Sequence, residues 1–152
     1  NAYAARTGRA GVVASQVEFS LARAGPPKVE PAGSRRVVMQ PRDIEFYTSA
    51  GIAVCAYSAA ARGYFSGGPA KRPDLDTEEN RLRLDRARGL AARKGCTPTQ
   101  IALSWLMRQP FPCIPVMGTV TPERLVENLA AVSVELSPRE FQELAGTGYG
   151  AT

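Results

Sequence analysis

Ile52-Ala53-Val54-Cys55-Ala56-Tyr57 is a near-continuous apolar run, set between Gly51 and a stretch rich in glycine and proline. A run of that length without polar alternation is the pattern of a β-strand covered on both faces by helices, as in a parallel sheet. The flanking segments agree. Val12 to Phe19 follows Gly11 and is rich in strand-forming residues, which predicts a strand. Cys113 to Val116 predicts a third, short strand.

Helices are expected between and after these strands. Pro41 opens one to Ala50, with Ile44, Phe46 and Tyr47 as its apolar face and Gly51 as its left-handed stop. Thr77 to Lys94 is long and charged and closes at Gly95. Thr97-Pro98-Thr99-Gln100 and Ser137-Pro138-Arg139-Glu140 are capping boxes. The first opens a helix burying Ile101, Trp105 and Leu106; the second opens a terminal helix to about Leu144. Pro122 opens a further helix to about Ala131. Leu21 to Gln40, ending in the short apolar run Val37-Val38-Met39, reads as a loop, and so does Ser58 to Asp76. Asn1 to Arg6 reads as the last turns of a helix ended by Gly8 or Gly11, as in a piece cut from a longer chain. No secretory leader is apparent.

Strands alternating with helices imply βαβ units in an α/β fold. About three strands are few for a doubly wound domain. They suit part of a (β/α)₈ barrel, which needs roughly 250 residues. The expected organisation is one domain over 1–145 with a flexible tail over 146–152.

Composition excludes several classes. With 44% hydrophobic and 22% charged residues the chain is not disordered throughout. No segment approaches the ~20 apolar residues of a membrane span. The net charge of +5 is modest and scattered, which argues against nucleic acid. Histidine is absent, which removes imidazole ligands and histidine bases. Cys55, Cys96 and Cys113 have no CxxC spacing. They read as reduced thiols of a cytoplasmic protein, with neither a disulfide framework nor a metal site.

In a barrel, chemistry sits at the C-terminal ends of strands. The first such junction is Gln16 with Glu18, Phe19 and Ser20. Gln16, in an otherwise apolar strand, is expected to be a buried amide that needs a partner. The second is Tyr57-Ser58, three alanines, then Arg62-Gly63. Tyr57 is either a core-capping ring or a platform for a flat heterocycle. The third is Gly118-Thr119-Val120-Thr121 at a helix start, which suits an anion, with Arg124 one turn in and Asn128 on the same face. Spacing alone favours the plainer alternative of an N-cap threonine and a solvated arginine.

These same residues carry a family resemblance. Gln16-Val17-Glu18-Phe19-Ser20-Leu21, Gly51 to Ser58, Gly95 to Leu106, Ile114 to Thr119 and Pro122 to Asn128 together resemble the aldo/keto reductase family, in order and in spacing. The loop from about Ala22 to Arg36 departs from it. The resemblance implies about strands six to eight, with their helices, of a (β/α)₈ barrel that reduces aldehydes and ketones with NADP(H) and no metal. It implies that Gln16 holds the nicotinamide carboxamide and that Tyr57 stacks on the ring. Ser58, Ala60 and the backbone to Gly63 would form the pyrophosphate loop. Gly118, Thr119, Thr121, Arg124, Glu127 and Asn128 would hold the adenosine and its 2′-phosphate. Many relatives carry lysine where Gly118 stands, which leaves Arg124 as the main cation. The family's catalytic Asp, Tyr, Lys and His belong to the other half, so no catalytic residue is expected here. The partner of the whole enzyme would be a small carbonyl substrate, and the isolated piece is expected to self-associate. The alternative is a non-catalytic, nucleotide-binding, reductase-like interaction module.

Overall fold

The computed structural model describes residues 1–25 and 36–146. The centre of the expected Leu21–Gln40 loop and most of the expected tail lie outside the described residues.

The order is α1 (Ala2–Thr7), β1 (Ala14–Glu18), α2 (Pro41–Ala50), β2 (Ala53–Tyr57), α3 (Tyr64–Lys71), α4 (Glu78–Lys94), α5 (Pro98–Met107), β3 (Cys113–Pro115), α6 (Pro122–Leu129) and α7 (Pro138–Ala145). The strands form one parallel sheet in the order β1-β2-β3. Gln16 lies beside Cys55, and Cys55 beside Ile114. Parallel pairing places all three C-terminal strand ends along one edge of the sheet.

Local signals set most boundaries. Gly8, Gly51 and Gly95 all take left-handed φ values of 61–66° at helix ends, and Gly8, not Gly11, stops α1. In the α5 box, Gln100 N–H donates to Thr97 Oγ1 at 3.3 Å and Thr97 N–H to Gln100 Oε1 at 2.8 Å. Ser137 and Glu140 exchange the same two bonds at α7.

The helices cover one face of the sheet. Val17, Phe19, Val54, Ala56 and Cys113 point into a core shared with α4, α5 and α7. Trp105 is completely buried, edge-on to Phe19 at 5.7 Å and stacked on Phe141 at 5.5 Å. Burying each large apolar side chain here stabilises by roughly 1.5–3 kcal/mol.

Three expectations fail. The apolar run of β2 is not covered on both faces: Val54 and Ala56 are buried, whereas Ala53, Cys55 and Tyr57 are only half-buried. Among the described residues no further wall closes over that side, and Ile114 beside it is 55% exposed. The loop over Ser58–Asp76 contains α3, despite Gly67, Gly68 and Pro69. Burial of Tyr64 and Phe65 overrides their poor helix propensity, and Gly68 marks the kink at φ 65°. The strand over Val12–Phe19 is shorter than expected, with Val12 and Val13 exposed.

On the outer edge of β1, Val38 forms a single parallel bridge to Glu18. Glu18 N–H donates to the Val37 carbonyl at 2.8 Å and Met39 N–H to the Glu18 carbonyl at 2.9 Å. Buried Met39 pins this strap against the core.

The three cysteines are free. Burial, and next the nearby Cys55, push the Cys113 thiol up to about 12. The folded chain therefore holds this proton more tightly than the unfolded chain does. Its contribution to stability is complete below about pH 9 and is lost as pH rises towards 12, at up to about 1.4 kcal/mol per pH unit. Urea midpoints measured from pH 8 to 11 are expected to fall less steeply for Cys113→Ala than for the unsubstituted chain. Equal slopes would contradict the assignment.

Candidate functional site

The central strand β2 ends in a tightly wound loop. Ser58, Ala61 and Arg62 take left-handed φ values of 55°, 48° and 50°. Such conformations cost a non-glycine residue on the order of 1–3 kcal/mol each and persist only where the surroundings enforce them. Here Ala61 N–H donates to the Ser58 carbonyl at 2.7 Å and Gly63 N–H to the Ala60 carbonyl at 3.0 Å. Arg62 Nε donates to Ser58 Oγ at 3.2 Å. Buried Tyr64 and Phe65 anchor the far end. Gly63 takes φ 89°, a backbone conformation in which any side chain would be strained.

Tyr57 is half-buried on the uncovered face, and its carbonyl accepts from Phe19 N–H at 3.2 Å. Gln16 shares that face one residue pair away. It is exposed, not a buried amide. The two-residue alternation fixes which side chains share its face, but at Gln16 no described element covers that face.

Beyond β3, Thr119 Oγ1 accepts from Thr121 N–H at 3.4 Å. Thr121 stands at the N-cap position of α6, yet its hydroxyl makes no capping bond, contrary to the N-cap expectation. Thr121 Oγ1 is buried without a hydrogen-bond partner. Arg124 is exposed and makes no ion pair or hydrogen bond among the described residues. Glu127 is exposed, and its carbonyl accepts from Gln100 Nε2 at 2.7 Å, which fixes the middle of α6 against α5. Asn128 is half-buried and Gly118 open.

The strand ends that carry Gln16, Tyr57 with the 58–63 loop, and the segment that starts at Gly118 thus lie along one edge of the parallel sheet. The structure also sets Glu18, already named at the first junction, in a charged cluster with Arg36 and Arg62 that spacing gives no warning of. Glu18, 8% exposed at its side chain, faces Arg36 Nε at 3.1 Å and Arg62 at 3.5 Å. Only the return of the strap beside β1 brings Arg36 to it. Tyr64 is sealed in the core, its phenol raised first by burial and then by Asp76. It cannot reach a substrate. Among the described residues no three of His, Cys, Asp and Glu are grouped to hold a metal, and no helix is long and apolar enough to cross a membrane.

Parallel strands with covering helices, and polar groups at the C-terminal strand ends, have the layout of a βα fold. The aldo/keto reductase family model matches residues 2–147, and the chain belongs to that family. A thermostable aldo-keto reductase, Tm1743, solved with the inhibitor epalrestat, is 28% identical with a TM-score of 0.54 over 86% of this chain and 38% of its own. The aldose reductase of Schistosoma japonicum shares the fold at 22% identity and TM-score 0.54, over 86% of this chain and 32% of its own. The chain therefore spans about a third of the length of these solved structures.

Proposed function

We propose that this chain is the nucleotide-binding part of an NADP(H)-dependent reductase that converts aldehydes or ketones to alcohols, corresponding to about strands six to eight of its barrel. The observation that carries this reading is the strained loop Ser58–Gly63 at the end of the central strand in a chain of this family. Left-handed turns of this kind shape a concave backbone surface that suits phosphate oxygens, although the Ala61 and Gly63 N–H groups are taken up inside the loop. The unpartnered Thr121 hydroxyl and the free Arg124 on the adjoining strand end fit an adenosine bearing a 2′-phosphate.

Within this reading, Gln16 takes the carboxamide, Tyr57 supports the nicotinamide face, and Ser58, Ala60 and Gly63 hold the pyrophosphate. Gly118 and Thr119 allow close approach of the adenosine, and Thr121, Arg124, Glu127 and Asn128 bind it. A bound NADPH supplies the hydride for carbonyl reduction. This chain supplies binding and orientation, and the proton donor comes from elsewhere in the barrel. The free thiols support a cytoplasmic setting. The uncovered sheet face, with Ile114 and Val116 exposed, supports self-association of the isolated chain.

The test uses the 152-residue chain with NADPH and a reactive aldehyde. Saturable NADPH binding is expected, with no NADPH oxidation above a boiled control. Absence of binding would remove the reading, and turnover by this chain alone would overturn the assignment of the proton donor to another segment. If the whole protein binds NADPH but oxidises none, the interaction-module alternative holds.

A further inference from the structure

Glu18 is the last residue of β1, on the face it shares with Gln16. A carboxylate this enclosed requires a cationic partner. Arg36 from the strap provides it at 3.1 Å. Arg62, at 3.5 Å and 44% exposed, adds a second positive charge to a carboxylate already balanced. Among the described residues Arg62 has no other ion pair. Arg72 and Asp74 satisfy one another through a two-point contact. Lys71, whose ammonium lies against Gly63, has no ion pair among the described residues. Among the described residues Glu18 is thus the carboxylate that Arg62 pairs with, beside the 58–63 loop, and Arg62 shares it with Arg36.

We propose that Glu18 is a releasable counter-ion for Arg62, and that a diphosphate ester seated on the 58–63 loop takes the Arg62 guanidinium over from it. Glu18 is then a positioning residue: it keeps Arg62 folded back over Ser58 until the ligand arrives. A diphosphate carries about two negative charges and accepts paired N–H donors from a guanidinium, a match that Glu18, shared with Arg36, cannot offer. Arg36 stays on Glu18, so the carboxylate is not stranded when Arg62 leaves.

The proposal rests on the nucleotide reading for its ligand, and inorganic pyrophosphate separates the two. Titrate the full chain with pyrophosphate, NADPH and adenosine 2′-monophosphate. Arg62→Gln is expected to weaken pyrophosphate and NADPH by about ten-fold or more and to leave adenosine 2′-monophosphate unchanged. Glu18→Gln is expected to act in the opposite direction, tightening both diphosphates several-fold, because the competitor for Arg62 is gone. Since Glu18→Gln leaves Arg36 without its partner, the paired change Glu18→Leu with Arg36→Leu is measured beside it, with the same tightening expected. A purely structural ion pair weakens binding in every variant, and that result would overturn the proposal. So would unchanged affinities in Arg62→Gln, or no pyrophosphate binding by the unsubstituted chain. Pyrophosphate binding that depends on Arg62 without any NADPH binding would instead uphold the diphosphate site and remove the cofactor reading.

Discussion

Replacing Arg83 with methionine is expected to lower stability by about 3 kcal/mol, the largest loss foreseen for any charged side chain of α4. Arg83 is completely buried. Its Nε and a terminal nitrogen donate to the Ala145 carbonyl at 3.1 and 2.9 Å, and the same terminal nitrogen donates to Glu79 at 2.7 Å. Ala145 is the last residue of α7, so its carbonyl has no partner within the helix, and a cation there also meets the negative end of the helix dipole. Methionine keeps the bulk and removes every donor. The loss stays near the lower end for a broken buried pair because Glu79 is 43% exposed and turns to water. Lysine restores one contact only, because it lacks the fork. For a domain of this size the methionine change corresponds to roughly 6–12 °C in melting temperature. Urea unfolding of Arg83→Met, Arg83→Lys and the unsubstituted chain measures it. A methionine variant within about 0.5 kcal/mol of the parent would show that α7 docks through its apolar face alone.

That hub illustrates where reading the chain stops. Thr97-Pro98-Thr99-Gln100 and Ser137-Pro138-Arg139-Glu140 are legible because a capping box closes within four residues, and the structure shows both sets of bonds. Gly51 and Gly95 are legible because the left-handed stop is local. Arg83 is one of several arginines along a charged helix. Only α7, about sixty residues later, sets it apart from exposed Arg81 or Arg86. The helix α3 is hidden for the same reason, since Tyr64 and Phe65 outweigh Gly67, Gly68 and Pro69 only once the core exists to receive them.

The strand-end groups were legible as motifs but not in their environment. Alternation along β1 puts Gln16 and Glu18 on one face, yet it cannot say that Gln16 is exposed while Arg36 encloses Glu18. Thr121 sits where a capping residue belongs, and its hydroxyl is nevertheless unpartnered. The first departure comes from a strap distant in sequence, and both fall at the edge assigned to the ligand.

The second large effect is expected at Arg124. Arg124→Ala should weaken NADPH by roughly one to two powers of ten, the equivalent of about 1.5–3 kcal/mol for a charge-assisted contact. NADH, which has no 2′-phosphate, should change little. Arg124 is exposed and has no competing partner among the described residues, so removing it should cost no folding energy. The open N-terminus of α6 remains in the variant, so NADPH binding should fall without vanishing. In the complete enzyme the maximal rate should hardly move, because this contact is remote from hydride transfer and alike in ground and transition states.

The most direct measurement is therefore the pair of dissociation constants for NADPH and NADH on the 152-residue chain, before and after Arg124→Ala. The cofactor reading predicts that the parent binds NADPH more tightly and that the substitution collapses the ratio towards one. A ratio that stays the same, or no binding of either nucleotide by the parent, would contradict it.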